Sequence, residues 1–264
     1  MTKSQIKTWN KKLKEPFKDL KFYEEGHRYE VVTNPGKPIK SVSSLIKYFY
    51  EEFDTDTMAE NWSKSRKLPI EFVKAAWTGE GDIANTHGSK VHLIGENYVK
   101  HKFLGDKGIK MIPDFLPIDK QSLGAIQFIE DLPDYLIPVA VELPMYNELF
   151  WFCGTCDGIL FNTKNGKLII YDYKTNKTLT GKYGKSPLFK INPDRKLTQN
   201  NFGKYTLQFS FYQILLEQAG FEVQSRVLVH LQEDEKTKKL YKTYKTQNVT
   251  EELLEWLKTG EHLN

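Results

Sequence analysis

Asp157, Asp172 and Lys174 are the residues most suited to chemistry in this chain. They stand in GTCDGILFNTKNGKLIIYDYKTNK, residues 154–177, which reads as two strands joined at Asn165-Gly166, a dipeptide suited to a tight hairpin turn. Strand side chains alternate faces, so Asp172 and Lys174 share one, and the hairpin brings Asp157 up beside them. Two carboxylates and an ammonium are costly to bury together. They become useful if a divalent cation and a phosphate sit between them, with oxygen ligands for the first and the lysine facing the second. One acid-x-lysine triplet says little by itself, since about five acid-x-base triplets arise by chance in such a composition.

Further pieces stand upstream and downstream. Gly88, His92 and Glu96 recur every four residues, so a helix there carries them on one face. Of the six histidines, His92 is the one with a carboxylate one turn on and a glycine one turn back, and neutral imidazole can ligate a metal. Glu142, in VAVELPMY, either reaches water beside such a metal or faces solvent at a strand edge. Gln208 and Tyr212 are one helical turn apart and adjacent. Cys153 and Cys156 imitate a CxxC pair, but on a strand they point to opposite faces, and there is no second pair for a zinc or iron–sulfur site.

Charge is unevenly distributed. The chain carries a net +4, whereas Lys174 to Lys204 holds eight basic residues against Asp194 alone. Lys177, Lys182, Lys185, Lys190, Arg195, Lys196 and Lys204 thus follow the carboxylate hairpin directly, which suits a polyanion better than a small neutral substrate. With 264 residues, 39% of them hydrophobic, the chain can bury a sizeable core. It has no apolar run long enough to span a membrane, its N-terminus lacks the apolar stretch of a signal peptide, and two cysteines make no disulfide framework. These features point to a cytoplasmic protein without a membrane partner.

The elements that would position the site follow from periodicity. Residues 1–21 read as a weakly patterned basic lead-in, frayed or a short helix, and 22–32 as a strand leading into a hairpin turn at TNPGKP. Ser43 or Ser44 can cap one short helix, and Asp54 or Asp56 a second. Pro69 opens a third that breaks at Gly79–Gly81. Asp82 then caps the long helix of His92. These breaks divide the chain into an N-terminal hairpin and helical region, 1–81, and a core, 82–264. In the core a helix over 119–132 turns Leu123, Ile126, Ile129 and Leu132 to one face, and three strands follow. A basic loop, a helix ending at Gly220, a buried strand, an edge strand and a closing helix complete it. The fold class is α/β (α+β), a mixed central sheet flanked by helices in the core order α-β-β-β-α-β, with an N-terminal helical extension.

The ordered set GSKVHLIGE (88–96), GTCD (154–157), YDYK (171–174) and QFSFY (208–212) resembles the RecB-like and phage exonuclease branch of the PD-(D/E)XK nuclease superfamily. It is also similar to the mitochondrial genome maintenance exonucleases. The resemblance covers residues 82–231 and implies a restriction-endonuclease-like core. It implies His92, Asp157, Asp172 and the Tyr173 carbonyl as ligands of Mg²⁺, with Mn²⁺ able to substitute. Glu96 has either a packing role or one supporting those ligands, and Glu142 stays open between reaching water beside the metal and facing solvent. The resemblance implies Lys174 as the group that orients or deprotonates the attacking water, and Gln208 and Tyr212 as residues that hold the substrate strand or brace the site. Asp172 stands where many relatives carry Glu, and the chain lacks the cysteines of relatives with an iron–sulfur cluster. The expected activity is Mg²⁺-dependent hydrolysis of DNA, as an exonuclease on single strands or ends, in phage-type recombination, repair or replication within a bacterial host. The expected partners are DNA and a recombination or single-strand-binding protein. Trp62, Trp77, Tyr183, Phe189 and Phe202 could stack bases. The alternative is a non-catalytic nucleic-acid-binding accessory of recombination or packaging that kept the fold and lost the chemistry. Retention of His92, Asp157, Asp172 and Lys174 speaks against it.

Overall fold

The computed structural model describes residues 1–23, 25–50, 54–107, 109–110, 118–181 and 197–263. The N-terminal lead-in is a helix, α1 (Lys3–Lys14), closed by a capping box between Thr2 and Gln5 and seated through Ile6 and Leu13. The strand expected over 22–32 is two, β1 (Leu20–Tyr23) and β2 (Arg28–Val31), paired antiparallel. The TNPGKP cluster comes after that hairpin and not at its turn. β3 (Lys40–Ser41) leads into α2 (Val42–Ile46), whose cap is Ser41, ahead of the two serines expected. α3 (Thr55–Arg66) is capped by Asp54.

The expected break at Gly79–Gly81 is absent. α4 runs unbroken over Ile70–Val99, so the 81/82 boundary falls inside a helix. Two internal glycines cost a helix about 1 kcal/mol each. Packing at both ends offsets this: Trp62 of α3 lies edge-on to Trp77, and Val91, Ile94 and Val99 are buried in the body of the molecule. A π-helical turn, Lys100–Leu104, continues α4 to Gly105, whose φ of 76° ends it.

α5 (Lys120–Glu130) is capped by Asp119. It buries Ala125, Phe128 and Ile129 and leaves Leu123 44% exposed, so its inner face is rotated from the one expected. Gly124 is the reason, because a Cβ there would sit 2.6 Å from the Leu240 carbonyl oxygen, and the close approach sets the rotation. Then come β4 (Leu136–Asn147), β5 (Phe152–Asn162), β6 (Leu168–Lys174), α6 (Asn201–Gln218), β7 (Val223–His230), β8 (Lys242–Lys245) and α7 (Thr250–Lys258).

The central sheet is mixed. β4, β5 and β6 are antiparallel neighbours, β6 and β7 run parallel, and β8 closes one edge antiparallel to β7. Helices cover both faces, as strand alternation requires. Ile159, Phe161, Leu168, Ile170 and Leu228 join the apolar cluster of α1, α2, α6 and α7. Leu160, Ile169, Tyr171, Tyr173 and Val229 join the cluster of α4 and α5. No helix among the described residues is long and apolar enough to cross a membrane.

Candidate metal centre

β5 has two partners on one edge and leaves a gap between them. Its start pairs with β3 at Phe152 and Cys153, and its end pairs with β6 from Gly158 to Phe161. The ladder with β6 stops at Gly158↔Tyr171. One step further would bring Asp157 opposite Asp172, but there the strands part, and β6 continues as a partner of β7 through Lys174. On the other edge of β5, Val141 faces Gly158 and Leu143 faces Cys156, which puts Glu142 opposite Asp157. Three neighbouring strands thus place Glu142, Asp157 and Asp172 in one row at the mouth of a fork. Glu142 takes φ = 44°, a left-handed conformation that costs a non-glycine residue of order 1–3 kcal/mol.

Neighbouring elements close in on this row. His92 Nδ1 of α4 lies 2.8 Å from Asp157 Oδ2, and the Tyr173 N–H donates to the same oxygen at 3.4 Å. Lys174 Nζ lies 2.8 Å from Asp172 Oδ2 and 4.4 Å from the centre of the Tyr205 ring. Lys174 is thus the ion-pair partner of the buried Asp172 carboxylate, neither of whose oxygens accepts a hydrogen bond of good geometry. From α6, Gln208 Nε2 donates to Tyr212 Oη at 2.8 Å. A Cβ on Gly154 would meet the Tyr212 ring at 2.8 Å, and one on Gly95 would meet the Tyr173 ring at 2.7 Å. The glycine of GTCD is therefore the seat of the tyrosine of QFSFY, and Gly95 lets α4 lie close against β6.

The electrostatics follow from crowding three acids in a dry place. Burial, and then the Asp157 charge, push the Glu142 carboxyl up to about 8 and that of Asp172 up to about 7. Burial works against ionised Asp157 as well, but the adjacent His92 charge prevails and holds its carboxyl well below the usual range. Burial lowers the His92 value, yet Asp157 outweighs it and raises the imidazole to about 9. Lys174 is held charged against its own burial by Asp172 and Asp157.

This arrangement fits a divalent cation. His92, Glu142 and Asp157 each offer a ligand atom within 4.8 Å of the others, while Asp172, expected among the direct ligands, lies outside that set and is engaged by Lys174. Mostly oxygen donors plus one imidazole suit Mg²⁺ or Mn²⁺. Glu142, expected beside the direct ligands or facing solvent, stands within their reach. Only the strand register, not the alternation of β4, could have revealed that. Glu96 is engaged by Lys100 on the next turn and lines the cleft above the site.

Two clefts meet at Gly88 and His92. One, of about 540 Å³, includes Glu142, Asp157, Gln208 and Tyr212. The other, of about 1070 Å³, includes Lys120, Tyr173, Lys174 and the exposed Lys177. Gln121 pins the wall of the larger cleft by donating to the Thr175 and Leu231 carbonyls while His87 engages its Oε1. Lys204 lies apart from both linings, over the Tyr50 ring at 4.6 Å. Lys182, Lys185, Lys190, Arg195 and Lys196, with Tyr183 and Phe189, lie outside the described residues. Phe202 packs edge-on to Tyr244. Cys153 and Cys156 are buried, and burial pushes the Cys153 thiol up to about 12.

No protein-family model matches the chain, and no curated protein matches it by sequence.

Proposed function

We propose that this protein is a metal-dependent DNA nuclease with a restriction-endonuclease-like core, acting as an exonuclease on single strands or DNA ends. One observation carries the reading: Glu142, Asp157 and Asp172 are aligned where β5 and β6 part, with Lys174 on the same face and His92 against Asp157. The order α4, β4, β5, β6, α6, β7, with α5 inserted before β4, supports the resemblance to the PD-(D/E)XK superfamily.

Asp157, Asp172 and Glu142 would hold Mg²⁺ or Mn²⁺, and His92 would join them once it gives up its proton. The bound ion supplies positive charge beside the scissile phosphate and eases deprotonation of water. Lys174 holds a fixed positive charge at the open end of β6, where it orients the attacking water and offsets charge developing on the phosphate. Asp172 keeps that ammonium in place and charged. Tyr212 and Gln208 brace the floor, Tyr212 through its ring on Gly154. Lys177, and Lys120 beside its partner Glu233, stand along the larger cleft where a phosphodiester backbone would lie.

Digestion of 5′- and 3′-labelled single-stranded, double-stranded and circular DNA with Mg²⁺ or Mn²⁺ tests the reading. Nucleotide release that EDTA abolishes, and that Asp172→Ala and Lys174→Ala both lose, is the expected result. Salt-sensitive binding without cleavage under any metal would establish the non-catalytic accessory instead. Full activity in both variants would remove these residues from the chemistry.

A further inference from the structure

Resting on the reading above, we propose that α1 presents a second contact to the DNA, gripping the phosphate backbone some five base pairs from the scissile bond. The first eighteen residues carry six lysines against Glu15 alone. α1 and the 3-10 turn after it, Glu15–Phe17, sort them. Ile6, Leu13 and Phe17 go inward, while Lys7, Lys11, Lys14 and Lys18 are on the exposed side. These four line one cleft of about 360 Å³ with Glu15 and Leu104. Glu15 pairs with Lys18 at 2.9 Å, and among the described residues no acid pairs with Lys7, Lys11 or Lys14. Like charges repel across such a stripe, and a polyanion relieves that repulsion.

The position of the cleft matters as much as its charge. Three clefts are met in order along α4 and its π turn: the large one beside residues 80–92, the acidic site beside 88–96, and the lysine cleft at Leu104, where α1 reaches the edge of the sheet. At about 1.5 Å per helical residue, Leu104 lies about 18 Å along the axis from His92. Duplex DNA advances about 3.4 Å per base pair, so a backbone following α4 reaches the lysines about five base pairs from the bond at the metal centre. Within α1, Lys7 to Lys14 spans about 10 Å on the same measure, enough for two or three successive phosphates, and Lys18 follows just beyond the helix.

The test pairs the variant Lys7→Gln/Lys11→Gln/Lys14→Gln/Lys18→Gln with a charge-matched control at Lys47, Lys164, Lys236 and Lys258. Glutamine suits a helix nearly as well as lysine, and all four stripe positions are exposed, so the fold is retained. Binding and cleavage are measured on DNA that extends either two or ten base pairs beyond the scissile bond, across a salt series. The stripe variant is expected to bind the long substrate at least tenfold more weakly, with its log–log salt slope reduced by about three, at about 0.9 per lost phosphate contact. On the short substrate it should match the unmodified protein. Equal affinity for long DNA, or an equal loss in the control, overturns the α1 contact while leaving the nuclease reading intact. An unmodified protein that binds neither DNA overturns both.

Discussion

The β5–β6 hairpin has two halves with opposite properties. Toward its turn the strands are zipped, from Gly158↔Tyr171 to Phe161↔Leu168, and every paired residue is buried and uncharged. At its other end the same strands part and present Asp157, Asp172 and Lys174. Alternation does not change at the boundary, and only the ladder does. While a strand is paired on both sides, its faces must be apolar to pack. Once it is released on one side, the space between strands can hold charge, provided something neutralises that charge. In the zipped half the Tyr171 ring occupies the space of a missing Gly158 side chain, and in the open half an imidazole, an ammonium and, on our reading, a cation take that role. One half should therefore govern stability and the other activity, and substitutions can break or sharpen that division.

The largest effects are expected in the open half. Asp172→Asn and Lys174→Ala should each lower metal-dependent cleavage by about a hundredfold or more. Asp172→Asn should at the same time change metal-free thermal stability little, because relief of the crowding against Asp157 offsets loss of the ion pair with Lys174. Cleavage rates and melting curves on the same preparations decide it, and a variant that loses both together would mean the row is structural.

The mirror experiment is in the zipped half. A Cβ on Gly158 would fall 1.9 Å from the Tyr171 ring, which is itself fully buried. Gly158→Ala should cost about 3 kcal/mol of stability by chemical denaturation. The molecules that remain folded should keep near-normal metal affinity, since the fork lies on the other side of the pair. A stable Gly158→Ala protein would contradict the tight packing of Tyr171.

Much of this division was legible in the sequence. The period of two put Asp172 and Lys174 on one face, and a run of apolar residues ending in charge marked where burial gives way. What was not legible required partners distant in sequence. Glu142 enters the row only through its register with β5 and its left-handed backbone. The rotation of α5 depends on Gly124 meeting the Leu240 carbonyl, and the continuity of α4 depends on packing at both its ends. The basic stripe of α1 was visible as charge but not as a surface, because its helix is marked by Thr2 and Gln5, in a capping box whose reciprocal bonds only the structure displays.

Proton linkage sharpens the comparison further. Without metal, the folded chain keeps protons that the unfolded chain releases: on Glu142 to about pH 8 against 4.5, on Asp172 to about 7 against 3.8, and on His92 to about 9 against 6.5. The folded state therefore binds more protons across this range, and its stability falls as pH rises from about 5 toward 9. A bound cation replaces those protons, so added Mn²⁺ or Mg²⁺ should raise Tm little at pH 5.5 and by several degrees near pH 8.5. Metal-induced shifts in Tm that shrink as pH rises would be the wrong sign for a carboxylate row.

The smallest effects separate two glycines on one face of α4. Gly95 faces the Tyr173 ring, where a new Cβ would lie 2.7 Å from Cε2, and Tyr173 is held by its hydroxyl on the Ala125 carbonyl. Gly95→Ala must push α4 away from β6 and should cost about 1–3 kcal/mol. It should also weaken metal binding, because His92 rides on the displaced turn. Gly88 is two turns earlier, and its nearest neighbour would be Thr175 Oγ1 at 3.6 Å, an ordinary contact. Gly88→Ala relieves the helix of a flexible residue and should gain up to about 1 kcal/mol. Denaturant midpoints with and without Mn²⁺ distinguish the two. Equal behaviour would mean that α4 does not transmit the packing of Tyr173 to the metal centre, and that the open half of the hairpin is less tightly coupled to its surroundings than the zipped one.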